Sequence, residues 1–322
     1  MPYKCQRRDL LIAGGVLSTA GLASWDNLRG RPSNGLPPSP VAVLKAASYS
    51  DDLVSRIRSG VHACGLNVTG KSVLLKPNLV EFDKSTSINT DVAVLAAALE
   101  VFQSLGAKSV NIAEGPGHRR DTWDIARLAR YRTEIPNFDA RFTDLNRDDV
   151  SPVPTFADEG EFFFPNTALR ADLIVSVAKM KTHHWAGATL SMKNLFGLVP
   201  GSIYGWPKNK LHHIGIPRSI VELNRTFRNT FAIVDGIVGM EGNGPIQGKP
   251  KHAGVLVMGP DVVAVDATCC RIMGINPDKV EYLDLAANLG NLDPSRIHQR
   301  AERPEAVRTD FDLVDSFKHL RL

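Results

Sequence analysis

Two lysines and two histidines follow an apolar run in the second half of the chain. Lys179, Lys181, His183 and His184 come directly after residues 173–178, which form a buried strand by their composition. Lysines two positions apart on a strand project to the same side, and their mutual repulsion favours a neutral amine. A neutral amine serves as a general base or a covalent nucleophile, and a charged pair serves as an anion clamp. We predict catalytic roles for Lys179, Lys181 and His183, with a solvated basic loop as the alternative.

Polar residues also follow other apolar runs. Lys76 and Asn78 follow one run, Glu114 follows the next, and Asp235 follows a later one. Ligands of an open parallel sheet bind beyond the carboxyl ends of its strands, so we expect these groups to meet at one edge. The alternatives are ordinary turns after residues 76 and 114, and a long flexible loop over the glycine-rich residues 236–245. The predicted substrate-binding residues are Lys76, Asn78, Glu114, Lys193, Asn194, Gly242 and Gly244.

Histidines and carboxylates in the second half of the chain raise the question of a metal. Two or three histidines with one carboxylate would suit zinc or iron. No HxH or HExxH spacing fixes the ligands, and histidines that bind substrate or bridge loops are the alternative. The predicted metal ligands are His183, His184, Asp235 and Glu241, with His212, His213 and His252 as further histidines of this region.

The composition bounds the class of protein. The chain has 322 residues, of which 43% are hydrophobic and 22% charged, as in a globular protein. A net charge of +4 without basic stripes argues against nucleic acid as a partner. The four cysteines form no CxxC pair, which argues against an iron–sulfur cluster within this chain.

Strand and helix patterns alternate along residues 41–322. This predicts an α/β fold with a mostly parallel sheet, helices on both faces, and a site at the carboxyl ends of the strands. We expect one domain over 41–322, or two halves at 41–150 and 151–322. Residues 136–170 break the alternation and predict an irregular section with an edge strand. Strands are predicted at 41–45, 72–76, 110–113, 173–178, 231–235 and 254–258. Helices are predicted at 51–64, 92–105, 121–131, 217–227, 261–273 and 278–289.

The first residues resemble an export signal. Arg7 and Arg8 precede a short apolar run, and a small-residue cleavage site near Ala23 could follow. Residues 1–23 are thus predicted to be a twin-arginine signal peptide, and 24–40 a linker rich in Pro and Gly. The partner would be the twin-arginine machinery, and the protein would be exported folded to the periplasm or exterior. The apolar run of about fourteen residues is short for a membrane span, so none is expected after cleavage. A basic helix or membrane anchor is the alternative.

Five motifs in this order resemble the domain-of-unknown-function family 362 over about residues 41–290. The resemblance implies a bacterial or archaeal protein without an assigned activity. Many members carry a ferredoxin-like cysteine segment, which this chain lacks, and others are exported by the twin-arginine route. The motifs are Lys76-Pro77-Asn78, Lys179-Met-Lys-Thr-His183, Ser191-Met-Lys193-Asn194-Leu-Phe-Gly197, Asp235-Gly-Ile-Val-Gly-Met-Glu241-Gly-Asn-Gly-Pro245 and Asp261-Val-Val-Ala-Val-Asp266.

These features lead to one expected function and two alternatives. We expect an exported enzyme that acts on a small anionic or polyhydroxylated substrate through the lysine and histidine cluster, with or without a metal. The first alternative is a periplasmic protein that binds a small molecule or cofactor without turnover. The second is an accessory protein for redox chemistry or maturation.

Overall fold

The computed structural model describes residues 35–117 and 120–322. The predicted signal peptide and most of the predicted linker lie outside these residues, so export stays a prediction. Within the described part of the chain, no helix is long and apolar enough to cross a membrane.

One sheet of nine strands organises the molecule, and its main path runs β11-β1-β10-β9-β7-β2-β3-β4. β8 pairs with β7 beside this path, and β5 and β6 form a separate hairpin. The strands are β1 Ser39–Lys45, β2 Ser72–Pro77, β3 Ser109–Glu114, β4 Phe142–Asp144, β5 Val150–Val153, β6 Phe162–Pro165, β7 Leu173–His183, β8 Gly187–Thr189, β9 Thr230–Glu241, β10 Lys249–Gly259 and β11 Ile297–Ala301.

Most neighbouring strands are parallel. β9, β7, β2, β3 and β4 pair in parallel, as do β1 and β11. β10 runs antiparallel to both β1 and β9. The predicted α/β class with a mostly parallel sheet is therefore confirmed, and the carboxyl ends of β2, β3, β7 and β9 lie at one edge.

Helices cover both faces of the sheet. The helices are α1 Leu53–Ala63, α2 Val92–Ser104, α3 Thr122–Leu128, α4 Tyr131–Glu134, α5 Phe138–Arg141, α6 Asn166–Leu169, α7 Ser191–Asn194, α8 Gly201–Tyr204, α9 Asn209–Ile214, α10 Ile216–Thr226, α11 Val262–Ile272 and α12 Glu281–Leu285. Short 3-10 turns occupy Leu195–Leu198, Pro277–Lys279, Pro294–Arg296, Pro304–Val307 and Asp315–Leu320. α1 and α2 pack on one face, and α10 and α11 pack on the other.

Aspartates cap the first turns of four helices. The side chains of Asp52, Asp91, Asp121 and Asp261 accept backbone N–H groups of the first turns of α1, α2, α3 and α11. Such caps satisfy donors that have no partner within the helix. The cap of α1 is therefore Asp52, whereas the predicted helix began at Asp51.

Several predicted boundaries were wrong. β7 and β9 extend beyond residues 178 and 235, because β8 and β10 supply backbone partners for their continuations. Part of the expected glycine-rich loop is therefore strand. The helix expected at 121–131 ends at Leu128, since Arg130 adopts a φ of 65°. The single helix expected at 278–289 is a 3-10 turn followed by the short α12.

Candidate functional site

A cavity of about 340 Å3 lies at the carboxyl ends of β2 and β3 and beside the end of β7. Several predicted site residues line it together, as the strand-end argument requires. These residues are Lys76, Asn78, Glu114, Lys181, His183, His184, Lys193 and Asn194. The cavity also has lining residues that the sequence did not single out, among them Lys208, Trp185 and Phe196.

A buried ion pair forms the floor. Lys76 Nζ lies 2.6 Å from Glu114 Oε2 and also donates to Asn194 Oδ1 at 3.2 Å. Asn194 Nδ2 donates back to the carbonyl of Lys76 at 3.1 Å, which ties the start of the 3-10 turn to β2. Burial lowers the pKa of Lys76 and raises the pKa of Glu114, and their attraction opposes both shifts. A Cβ on Gly197 would overlap Glu114 Oε1, so this floor requires glycine there.

Lys181 has no carboxylate partner among the described residues. Its Nζ donates to the carbonyls of Ile88 at 2.9 Å and Pro245 at 3.3 Å. Burial lowers the pKa of Lys181 well below its usual value, and the nearby Lys193 lowers it further. A neutral amine has two N–H donors and one lone pair. Both donors can therefore be satisfied by these carbonyls while the lone pair stays available.

Lys193 enters the cavity from α7. Its Nζ lies 4.5 Å from the centre of the Phe196 ring, and no hydrogen bond or ion pair to it occurs within the described residues. Burial lowers the pKa of Lys193 to about 8. At neutral pH this side chain is therefore mostly a cation, without a protein anion to balance it.

Asp266 holds the helix that carries Lys193. Its carboxylate accepts Ser191 N at 2.9 Å, Ser191 Oγ at 2.5 Å and Met192 N at 3.1 Å. Burial raises the pKa of Asp266 to about 7. α11 thus fixes the first turn of α7, which explains why the motifs around residues 191 and 266 occur together.

Lys208 is a cavity residue that sequence reasoning missed. It lies between α8 and α9, and its Nζ donates to Asn146 Oδ1 at 3.1 Å and to the Val199 carbonyl. Burial lowers the pKa of Lys208 to about 7. No strand precedes it, so the strand-end argument carried no signal for it.

His183 and His184 both line the cavity. Backbone N–H groups of Trp185 and Ala186 donate to His183 Nδ1, and His184 Nδ1 contacts the Gly244 carbonyl. Burial lowers the pKa of His183 well below its usual value, and nearby cations add to the shift. His183 is therefore neutral at physiological pH.

Lys179 does not line this cavity. Its Nζ lies 2.6 Å from Asp235 Oδ2 and 2.9 Å from the Tyr49 hydroxyl, which itself donates to Asp235 Oδ1. The pairing of β7 with β9 shifts register between Lys179 and Lys181, and the two lysines consequently have different surroundings. The expected joint role of the two lysines is thus not supported, because the buried pair with Asp235 already uses Lys179.

The predicted metal set is not brought together either. Asp235 is held by Lys179 and Tyr49 and does not line the cavity. Glu241 Oε2 pairs with Lys251 at 3.1 Å and accepts Asp312 N at 2.9 Å. Across residues 35–117 and 120–322, no group of three or more His, Cys, Asp or Glu side chains could hold a metal ion.

The predicted glycines shape the wall without lining it. Gly242 has a φ of 79°, and a Cβ on Gly244 would overlap the Thr182 carbonyl. Neighbouring residues of the same segment do line the cavity, including Asn243, Pro245 and Gln247. Gly244 therefore allows close backbone packing and Gly242 allows a positive φ, and the predicted contact of these glycines with a substrate stays a prediction.

Comparisons with known proteins identify a family and a related sequence. A family model described as a domain of unknown function (DUF362) matches residues 73–271. A thylakoid-associated protein of Synechocystis sp. is 27% identical over 271 residues, covering 79% of this chain and 80% of that protein.

Two solved structures match the chain at low similarity. The lactate racemase apoprotein from Thermoanaerobacterium thermosaccharolyticum matches with a TM-score of 0.48 and 15% identity, over 76% of this chain and 59% of that one. A Thermotoga maritima protein matches with a TM-score of 0.36 and 12% identity, over 80% of this chain and 62% of that one. The chain thus spans about three fifths of the length of each.

Proposed function

The chain belongs to the DUF362 family, and from that premise we propose that it is an enzyme that binds a small anionic substrate in this cavity and removes a proton from it. The fold alone assigns no reaction, so the proposal rests on the site. Export of the folded enzyme, predicted from residues 1–23, is a separate proposal.

The excess of lysines over carboxylates carries this proposal. Lys76, Lys181, Lys193 and Lys208 line the cavity, whereas Glu114 is the sole carboxylate among its described lining residues and already pairs with Lys76. Burying a cation without a partner is costly unless something else compensates it. A bound anion would compensate Lys193, whose Nζ has no acceptor within the described residues. The volume of about 340 Å3 suits a small molecule.

Two lysines support different steps. Lys193 is mostly cationic near neutral pH and would hold the anionic group. Burial lowers the pKa of Lys181 well below its usual value, which favours the neutral amine. Its two N–H donors contact backbone carbonyls, so its lone pair can accept a proton. Anion binding alone needs only cations. The neutral amine beside them is what favours an enzyme over a binding protein without turnover.

Binding of small anions tests the proposal. Titration calorimetry with a panel of short carboxylates and phosphates should detect saturable binding to the whole chain. Lys193→Met should weaken that binding about tenfold or more, which corresponds to about 1.4 kcal/mol. Lys108→Met is the matched control, since Lys108 is exposed and lies at the opposite, amino-terminal edge of the sheet. Equal affinity in wild type and Lys193→Met would contradict the proposal.

A further inference from the structure

The two adjacent histidines of the cavity use their Nδ1 atoms in opposite ways. Trp185 N donates to His183 Nδ1 at 2.9 Å, and Ala186 N donates to the same atom at 3.2 Å. Both partners are backbone N–H groups and can only donate. Nδ1 of His183 must therefore present its lone pair, and the proton of the neutral ring is on Nε2.

His184 has the reverse arrangement. Its Nδ1 lies 2.6 Å from the carbonyl oxygen of Gly244, which can only accept. Nδ1 of His184 therefore carries a proton, and Nε2 of its neutral ring carries the lone pair. The centres of the two rings are 5.0 Å apart. Two neighbouring histidines of one cavity thus have different tautomers, because their Nδ1 atoms have different partners.

We propose that His183 is a fixed hydrogen-bond donor that holds a carbonyl oxygen of the substrate through Nε2–H. This deepens the proposed function and rests on it: the substrate would be a small carboxylate or phosphate anion that also carries a carbonyl group. It also replaces the proton-transfer and metal-ligand roles that the sequence suggested for His183. The lone pair of the neutral ring is on Nδ1, where it accepts the two backbone N–H groups. It is therefore not available to accept a proton from the substrate or to bind a metal.

The position of His183 fits this role. His183 and Lys181 are two residues apart on β7 and line the same cavity. No acceptor for His183 Nε2 occurs among the described residues. Burial lowers the pKa of His183 most, and the nearby Lys193 lowers it further, with smaller contributions from His184, Lys181 and His212. The donor is therefore available at the place where a substrate oxygen would bind.

The resulting step is balanced in protons and electrons. The C–H bond beside the substrate carbonyl breaks, and its proton moves to Lys181 Nζ, which becomes an ammonium. The bonding electron pair forms an enolate, whose oxygen gains the negative charge. His183 Nε2–H donates to that oxygen, and a neutral imidazole can act as such an electrophile.

Nitrogen NMR of histidine-labelled protein tests the tautomers without any ligand. His183→Gln and His184→Gln assign the two sets of ring signals. We expect the Nε2–H tautomer for His183 and the Nδ1–H tautomer for His184. We also expect His183 to be neutral at about pH 6.5, where an ordinary histidine is half protonated. A Nδ1–H tautomer or an imidazolium at His183 at that pH would overturn the donor assignment.

Pairs of acids with and without a ketone oxygen test the proposed contact between His183 and a substrate carbonyl. Pyruvate and 2-oxoglutarate should bind about tenfold more tightly than propionate and glutarate, which lack the ketone oxygen. They should also shift the His183 Nε2–H signal. His183→Leu should remove the difference in affinity, and His183→Gln, which keeps a donor, should retain part of it. Equal affinity within each pair would overturn this inference and leave anion binding intact. Binding of none of the four acids would count against the proposed function itself.

Discussion

Lys179 and Lys181 belong to one motif, yet they have opposite surroundings. Lys179 is matched by Asp235 and the Tyr49 hydroxyl, and every group of that corner has a protein partner. Lys181 shares a cavity with Lys193 and Lys208, and the one described carboxylate there is used by Lys76. The paired charges around Lys179 are typical of a structural contact between β7 and β9. The cavity has more lysines than carboxylates, which is typical of a site that binds an anion.

Removing the acid that pairs with Lys179 should have the largest effect on stability. Asp235→Asn leaves Lys179 buried without its counterion, which should lower the free energy of unfolding by about 3–5 kcal/mol. Urea denaturation measures this, with Lys179→Met added to Asp235→Asn as a control that should restore part of the loss. By contrast, Lys181→Met should cost about 1 kcal/mol or less, or stabilise, because it removes a buried amine without a counterion. Similar losses in the free energy of unfolding for Asp235→Asn and Lys181→Met would contradict the proposed difference between the surroundings of Lys179 and Lys181.

A smaller effect is expected at the floor of the cavity. Gly197→Ala places a Cβ against Glu114 and 2.6 Å from Lys76 Nζ, so the ion pair must separate. Overpacking of this kind should cost about 1–3 kcal/mol. Gly65→Ala is a useful comparison because a Cβ there meets no atom within 4 Å, although its φ of 69° brings strain of its own. Unchanged stability of Gly197→Ala would show that the floor can rearrange.

The smallest effect concerns pH. Below about pH 8, Lys193 is protonated in both the folded and unfolded chains. Between about pH 8 and the ordinary value of 10.5, the folded protein has lost this proton while the unfolded chain retains it. The unfolded state then binds more protons, so stability should rise with pH across this window relative to Lys193→Met. The rise should be about 1–2 kcal/mol, which is less than the full pKa difference implies, because Lys193 is only partly buried and solvent screens its charge. Anion affinity should fall over the same window as the cation is lost. Denaturation and binding curves recorded at several pH values check both trends, and parallel stability profiles for the two proteins would contradict the first.

Much of the fold followed from local patterns. The alternation of strand and helix patterns indicated the helices and the parallel sheet. The strand-end argument placed Lys76, Glu114 and Lys181 at one edge. It did not identify Lys208, because that residue comes from the segment between α8 and α9. It also did not separate Lys179 from Lys181, because the register shift between them depends on how β9 pairs with β7.

The sequence by itself therefore determined the α/β class, the family motifs and the edge at which the cationic groups collect. Only the tertiary structure decided which lysines have counterions and which histidine nitrogens are occupied. The partner of Lys179 is Asp235, 56 residues away, and the partner of Lys76 is Glu114, 38 residues away. Such pairs depend on strand order and register, which bring distant residues to contact distance. The donor role of His183 depends likewise on the local path of the backbone at Trp185 and Ala186, which residue types alone do not specify.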